Sequence, residues 1–177
     1  MLKQTAGRFS APARTEAAEY YFRYIDLVPA GDMREALSRQ LADTIELLDT
    51  IDSEKSMHRY GAGKWTIRQV VSHLSDTERS FAFRVFWFAR GFDSELPSFD
   101  QEVAIATADA DEQSWEDLVT EFRTVREATI SLVSGLPAAA WDRRGTANGN
   151  EFTVRAVTYL IVGHVSHHLA ILRERYL

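Results

Sequence analysis

The chain has 177 residues, a formal net charge of −6 and no cysteine. A chain of this length has the size of one domain and buries enough surface to fold without covalent staples. The missing thiols exclude disulfide frameworks, thiolate metal sites and a cysteine nucleophile. The acidic balance argues against the electrostatic attraction that drives non-specific nucleic-acid binding.

Residues 1–11 lack the apolar core of a signal peptide. No segment approaches the roughly 18 apolar residues of a membrane span; residues 154–172 come nearest and are interrupted by Arg155, His164, His167 and His168. The expectation is a soluble, cytoplasmic single domain over 1–177, with a small molecule as its partner and neither nucleic acid nor membrane. Residues 1–31 read as an N-terminal extension packed on the domain, with a short outer helix over 13–27.

Four segments then carry helical signals. The first runs from Asp32 to Thr50: Asp32 and Glu35 have capping-box spacing, and Leu37, Leu41, Ile45 and Leu48 recur at helical intervals. The second runs from Thr66 to Ala89, with Thr66 and Gln69 as its box, an apolar stripe from Ile67 to Phe88, and Gly91 as its stop. The third runs from Ser114 to Ser134, capped by Ser114 with Asp117 and ended by Gly135 and Pro137. The fourth runs from Thr153 to Arg173. With no convincing alternating strand, the pattern predicts an all-α, up-down four-helix bundle. The connection between the second and third helices, residues 92–113, is long for a bundle, and a short helix is expected within it near 100–106. Residues 146–150 read as a turn by composition. The segments Trp65-Thr66-Ile67-Arg68 and Phe152-Thr153-Val154-Arg155 echo each other, each an aromatic residue ahead of a Thr cap.

The histidines are the most informative residues. At 100° per residue, His168 lies about 20° and His164 about 60° from the centre of the fourth helix's apolar stripe, whereas His167 falls about 120° away. A lone core histidine is ordinarily just hydrogen-bonded. Two of them four residues apart stack on one face, where their ring nitrogens can converge on one ion at about 2.0–2.1 Å. The third ligand must come from another helix, and His73 is the one other histidine inside a predicted helix. His58 reads as a surface loop residue.

The segments Tyr60–Glu78, with Lys64-Trp65-Thr66-Ile67-Arg68-Gln69 and His73, and Gly163-His164-Val165-Ser166-His167-His168-Leu169 resemble the DinB/YfiT-like family. Phe99-Asp100-Gln101 and Glu121–Arg126 also match its pattern. The resemblance covers nearly the whole chain from Asp32 onward. It implies a four-helix bundle with a three-histidine metal site, whose ligands carry over onto His73, His164 and His168. It also implies a homodimer, and a metal-dependent hydrolase or a transferase using a low-molecular-weight thiol cosubstrate.

Three imidazoles suit zinc, nickel or iron and leave a coordination position open. There an ion can activate water against an ester or amide, or stabilise the thiolate of an external thiol. Glu78, on the apolar stripe of the second helix, is the candidate catalytic base, with an ion pair to Arg84, Arg123 or Arg126 as the competing reading; Asp76 reads as solvated. A di-iron carboxylate bundle is disfavoured because no histidine follows a glutamate by three. A His-Glu-x-x-His protease motif is absent. A non-catalytic small-molecule or metal sensor on the same scaffold is the alternative function.

Overall fold

The computed structural model describes residues 10–98 and 100–177. The first nine residues of the expected extension lie outside the described residues, as does Phe99 of the matching segments. Six helices follow in order: α1 Phe22–Ile25, α2 Met33–Asp49, α3 Ile67–Arg90, α4 Gln101–Thr107, α5 Trp115–Ser134 and α6 Val154–Ile171. A 3-10 turn at Glu19–Tyr21 leads into α1, and a π-helical turn at Leu172–Tyr176 extends α6.

The helix starts are set by side chains that take up free amides. Thr66 accepts from the Gln69 amide while Gln69 Oε1 accepts from the Thr66 amide, a complete capping box. Ser114 accepts from the Asp117 amide and Thr153 from the Ala156 amide. Asp32 accepts from Arg34 and holds its guanidinium, so the cap of α2 closes on Arg34 instead of Glu35. Gly91 ends α3 at φ 79°, in the left-handed region.

Two expectations are corrected. The helix expected over 13–27 is confined to its last third, because Glu16 is spent on the Ala13 amide, Thr153 and Arg155, which holds the preceding chain in a turn. The segment packs on α6 and buries Phe22 and Ile25 against the bundle. A strand pair was not expected, yet Arg144–Ala147 (β1) and Asn150–Thr153 (β2) form an antiparallel hairpin. Asn148 at φ 52° and Gly149 at φ 68° make the two-residue turn that such a hairpin needs. The strands are four residues each, too short to show alternation. Leu96 hydrogen-bonds both Thr146 and Asn148, pinning the long connection to the hairpin.

α3 packs on α5 and α6, and α2 packs on the same two helices. Around the bundle the order is therefore α2, α5, α3, α6, with α2 diagonal to α3 and α5 diagonal to α6. The core is divided into two apolar clusters. One gathers Phe22, Leu37, Phe88, Trp141, Phe152 and Ile161. The other gathers Leu48, Leu74, Leu118, Phe122, Val165 and Leu172. Between them every bundle helix turns polar at the same level, at Gln40, Glu78, Arg126 and His164.

Candidate metal centre

This polar layer is tied together by a buried network. Both carboxylate oxygens of Glu78 accept from Arg126, at 2.7 and 2.8 Å. Arg126 Nη1 donates to Gln40 Oε1 at 2.8 Å, and Gln40 Nε2 donates to the Val162 carbonyl and to Ser166 Oγ, each at 2.8 Å. All four bundle helices, α3, α5, α2 and α6, are thus linked, and each polar group is satisfied, as burial demands.

Beside this network the three expected histidines converge. His164 Nε2 lies 3.1 Å from His73 Nε2 and 3.2 Å from His168 Nε2, and the three ligand atoms all fall within 4.8 Å of one another. Two nitrogens bound to one tetrahedral zinc sit about 3.3 Å apart, given bond lengths near 2.0–2.1 Å. His73 and His164 are buried. Burial pushes His73 down to about 4 and His168 down to about 3, and drives His164 well below the ordinary histidine range. At neutral pH all three are uncharged, the form that ligates.

The geometry does not suit a purely hydrogen-bonded cluster. An imidazole nitrogen carries either one proton or one lone pair. His164 Nε2 faces two other ring nitrogens and can satisfy one of them. An ion with three lone pairs directed at it removes the conflict. The Nε2 atoms face inward, so a ligating His73 would carry its proton on Nδ1, and Thr77 Oγ1 lies 3.4 Å from that atom. Such a partner fixes ring orientation and tautomer.

The walls come from residues next to the helix caps. Trp65, just ahead of the Thr66 cap, places its ring 4.9 Å from His73, and its carbonyl accepts from the Tyr176 hydroxyl at 2.8 Å. Tyr24 packs edge-on against His164 at 5.7 Å. Gly163 permits that approach, since a Cβ there would overlap the Tyr24 backbone carbonyl. One cavity of about 280 Å³ opens at His73 and His164, and another of about 260 Å³ opens at His168 beside Tyr60, Lys64 and Trp65.

His167 stays outside the trio, against Tyr24, and His58 is exposed in its loop. Asp76 pairs with Arg79 at the surface. Glu78 lines neither cavity and both its oxygens are engaged, so its placement is that of the competing reading, an ion pair, with Arg126 as the partner. Sequence reasoning missed Arg68 and Arg155. They occupy the same position in the two echoing segments and are both buried. Arg68 anchors the 53–56 and 111–113 loops through Ser56 Oγ and the Gln113 carbonyl. Arg155 anchors Glu16. The echo itself was their signal.

Fold and site together define a helical-bundle protein with three neutral imidazoles, two buried and one half-buried, grouped so that they could hold a metal ion. The model of the DinB superfamily matches residues 36–172, and the chain belongs to that superfamily. It is 28% identical over 183 residues to a protein of Bacillus licheniformis, covering 96% of this chain and 92% of the relative. It is 25% identical over 137 residues to one of Oceanobacillus iheyensis, covering 77% of each. Both relatives carry the name "Putative metal-dependent hydrolase". Among solved structures the fold matches YfiT from Bacillus subtilis, described as a probable metal-dependent hydrolase with an unusual four-helix bundle topology. That match has a TM-score of 0.72 at 17% identity, over 93% of this chain and 90% of the other. Among the described residues no helix is long and apolar enough to cross a membrane.

Proposed function

We propose that this protein is a metal-dependent hydrolase of small molecules, in which His73, His164 and His168 hold one divalent ion, zinc or nickel foremost and iron next. The observation that carries the reading is His164 Nε2 between two other Nε2 atoms at 3.1 and 3.2 Å, an arrangement that hydrogen bonding alone leaves frustrated. When bound, the ion supplies Lewis-acid activation of water or of a substrate carbonyl. The chain's own residues do the positioning. Thr77 orients the His73 ring, Trp65 and Tyr24 shield the imidazoles, and the Glu78–Arg126–Gln40 network fixes the relative register of the helices that carry them. In this reading Glu78 is a positioning residue, not the base.

Transfer of a low-molecular-weight thiol is the second reading. It is favoured by the two cavities that reach the trio from different sides, one for each of two substrates.

Elemental analysis of the purified protein, beside His73→Ala, His164→Ala and His168→Ala, tests the proposal. The expected result is about one metal per chain, lost in each variant, together with metal-dependent turnover of ester, amide or thiol-acceptor substrates. No uptake after incubation with zinc, nickel, iron and manganese overturns it. Uptake with tight ligand binding but no turnover points instead to a sensor.

A further inference from the structure

Four arginines are buried among the described residues: Arg68, Arg84, Arg126 and Arg155. Three have acceptors. Arg68 donates to Ser56 and Gln113, Arg126 to Glu78, and Arg155 to Glu16. Arg84 is 5% exposed and has neither a carboxylate nor a hydrogen-bond acceptor among the described residues. The face of Phe81 lies 5.4 Å from its guanidinium carbon, and the Tyr21 phenol is its other electrostatic neighbour. Burial strips part of the hydration from the guanidinium, none of its nitrogens is sealed inside the protein, and arginine keeps its proton at neutral pH, so the charge is directed at the cavity it lines.

Arg84 lines the cavity of about 280 Å³ that also reaches His73 and His164. Among the described residues no acidic side chain lines that cavity; its walls include Tyr20, Tyr21, Tyr24 and Phe81. Along α3 the lining residues are His73, Thr77, Phe81 and Arg84, which fall on one helix face. Arg84 is eleven residues past His73, about 20° off a whole number of turns and about 16 Å along the axis. The guanidinium and the histidines therefore stand about three helical turns apart along α3, at two ends of one aromatic-walled cavity.

We propose that Arg84 is an anion-recognition residue, which takes the carboxylate of a small substrate with an apolar or aromatic body and so presents its far end to the histidine trio. The planar guanidinium fork matches a carboxylate through two parallel hydrogen bonds, and the aromatic walls take the body. The anion subsite stands on Arg84 and its cavity. Its assignment to substrate rests on the metal-dependent reading above.

Calorimetric titration of the full-length protein with 3-phenylpropionate and its neutral amide tests the proposal, with metal-free and zinc-incubated samples and metal content measured in each. In metal-free protein, where the carboxylate has no ion to bind, the acid is expected to bind at least about tenfold more tightly than the amide. Arg84→Lys, which keeps the charge, retains a preference, and Arg84→Gln abolishes it. Equal affinity for acid and amide in the metal-free parent overturns the subsite, whether or not a variant folds. So does a preference that appears only with zinc, or one that survives in Arg84→Gln. A chain that takes up no metal yet keeps the Arg84-dependent preference overturns the hydrolase reading and leaves the anion subsite standing. Uptake of zinc with no preference does the reverse.

Discussion

Replacing Glu78 by alanine removes the carboxylate that pairs with Arg126 at the centre of the bundle. The two side chains are 2% and 0% exposed, so neither can recover its hydration without opening the core. The guanidinium would keep Gln40 Oε1 at 2.8 Å and a long contact to the Leu37 carbonyl at 3.4 Å, and it would lose both charge-assisted bonds to the carboxylate. Breaking one side of a buried pair costs about 3–5 kcal/mol. For a chain of this size that lowers the melting temperature by about 6–20 °C. Removing both charges, in Glu78→Leu with Arg126→Met, should return most of the stability, because the double variant leaves no buried ion unpaired. Urea denaturation followed by circular dichroism measures all three. A loss below about 1 kcal/mol in Glu78→Ala, or a double variant less stable than the single one, would refute the reasoning. The same experiment separates anchor from base: a general base lowers turnover and leaves the urea midpoint where it was.

Gly163→Ala should destabilise the fold by about 1–3 kcal/mol, despite a helix-propensity gain of up to about 1 kcal/mol. The new Cβ would overlap the Tyr24 backbone, and the displaced α1 carries Tyr24 away from His164. A melting temperature at or above the parent's would contradict that packing. The metal-free protein should also weaken in mild acid. His73 and His168 hold folded values of about 4 and about 3, below the unfolded value of about 6.5, so the unfolded chain binds protons that the folded chain refuses. Their contribution is complete above about pH 6.5 and declines as the pH falls towards the folded values, by about 2 kcal/mol for His73 at pH 5. Urea midpoints at pH 7.5, 6 and 5 should fall in that order; a flat or rising series would show that these rings are not held neutral by burial.

Local chemistry was legible in the sequence. Thr66, Ser114 and Thr153 start their helices because a hydroxyl beside free amides caps them in any context. Gly91 stops α3 because a left-handed residue is needed there. The stacking of His164 over His168 follows from helical spacing alone. The family's motifs were legible for the same reason, since each lies within one helix or at its cap, whereas the joining of His73 on α3 to the pair on α6 was implied by the resemblance.

What the sequence did not contain was the meeting of distant segments. The hairpin at 144–153 is held by α3, over whose Phe88 only glycine can pass at position 145, and by Leu96 from the long connection. Which arginine would hold Glu78 depended on α3 and α5 being neighbours, and three candidates were equal until the helix order was known. Arg84 is a basic residue in a helix like many others until the fold buries it without an acceptor. The residue types were set by the sequence. Their partners, and so their charge states and roles, were decided by tertiary packing, because the energy of a buried charge is a property of what surrounds it.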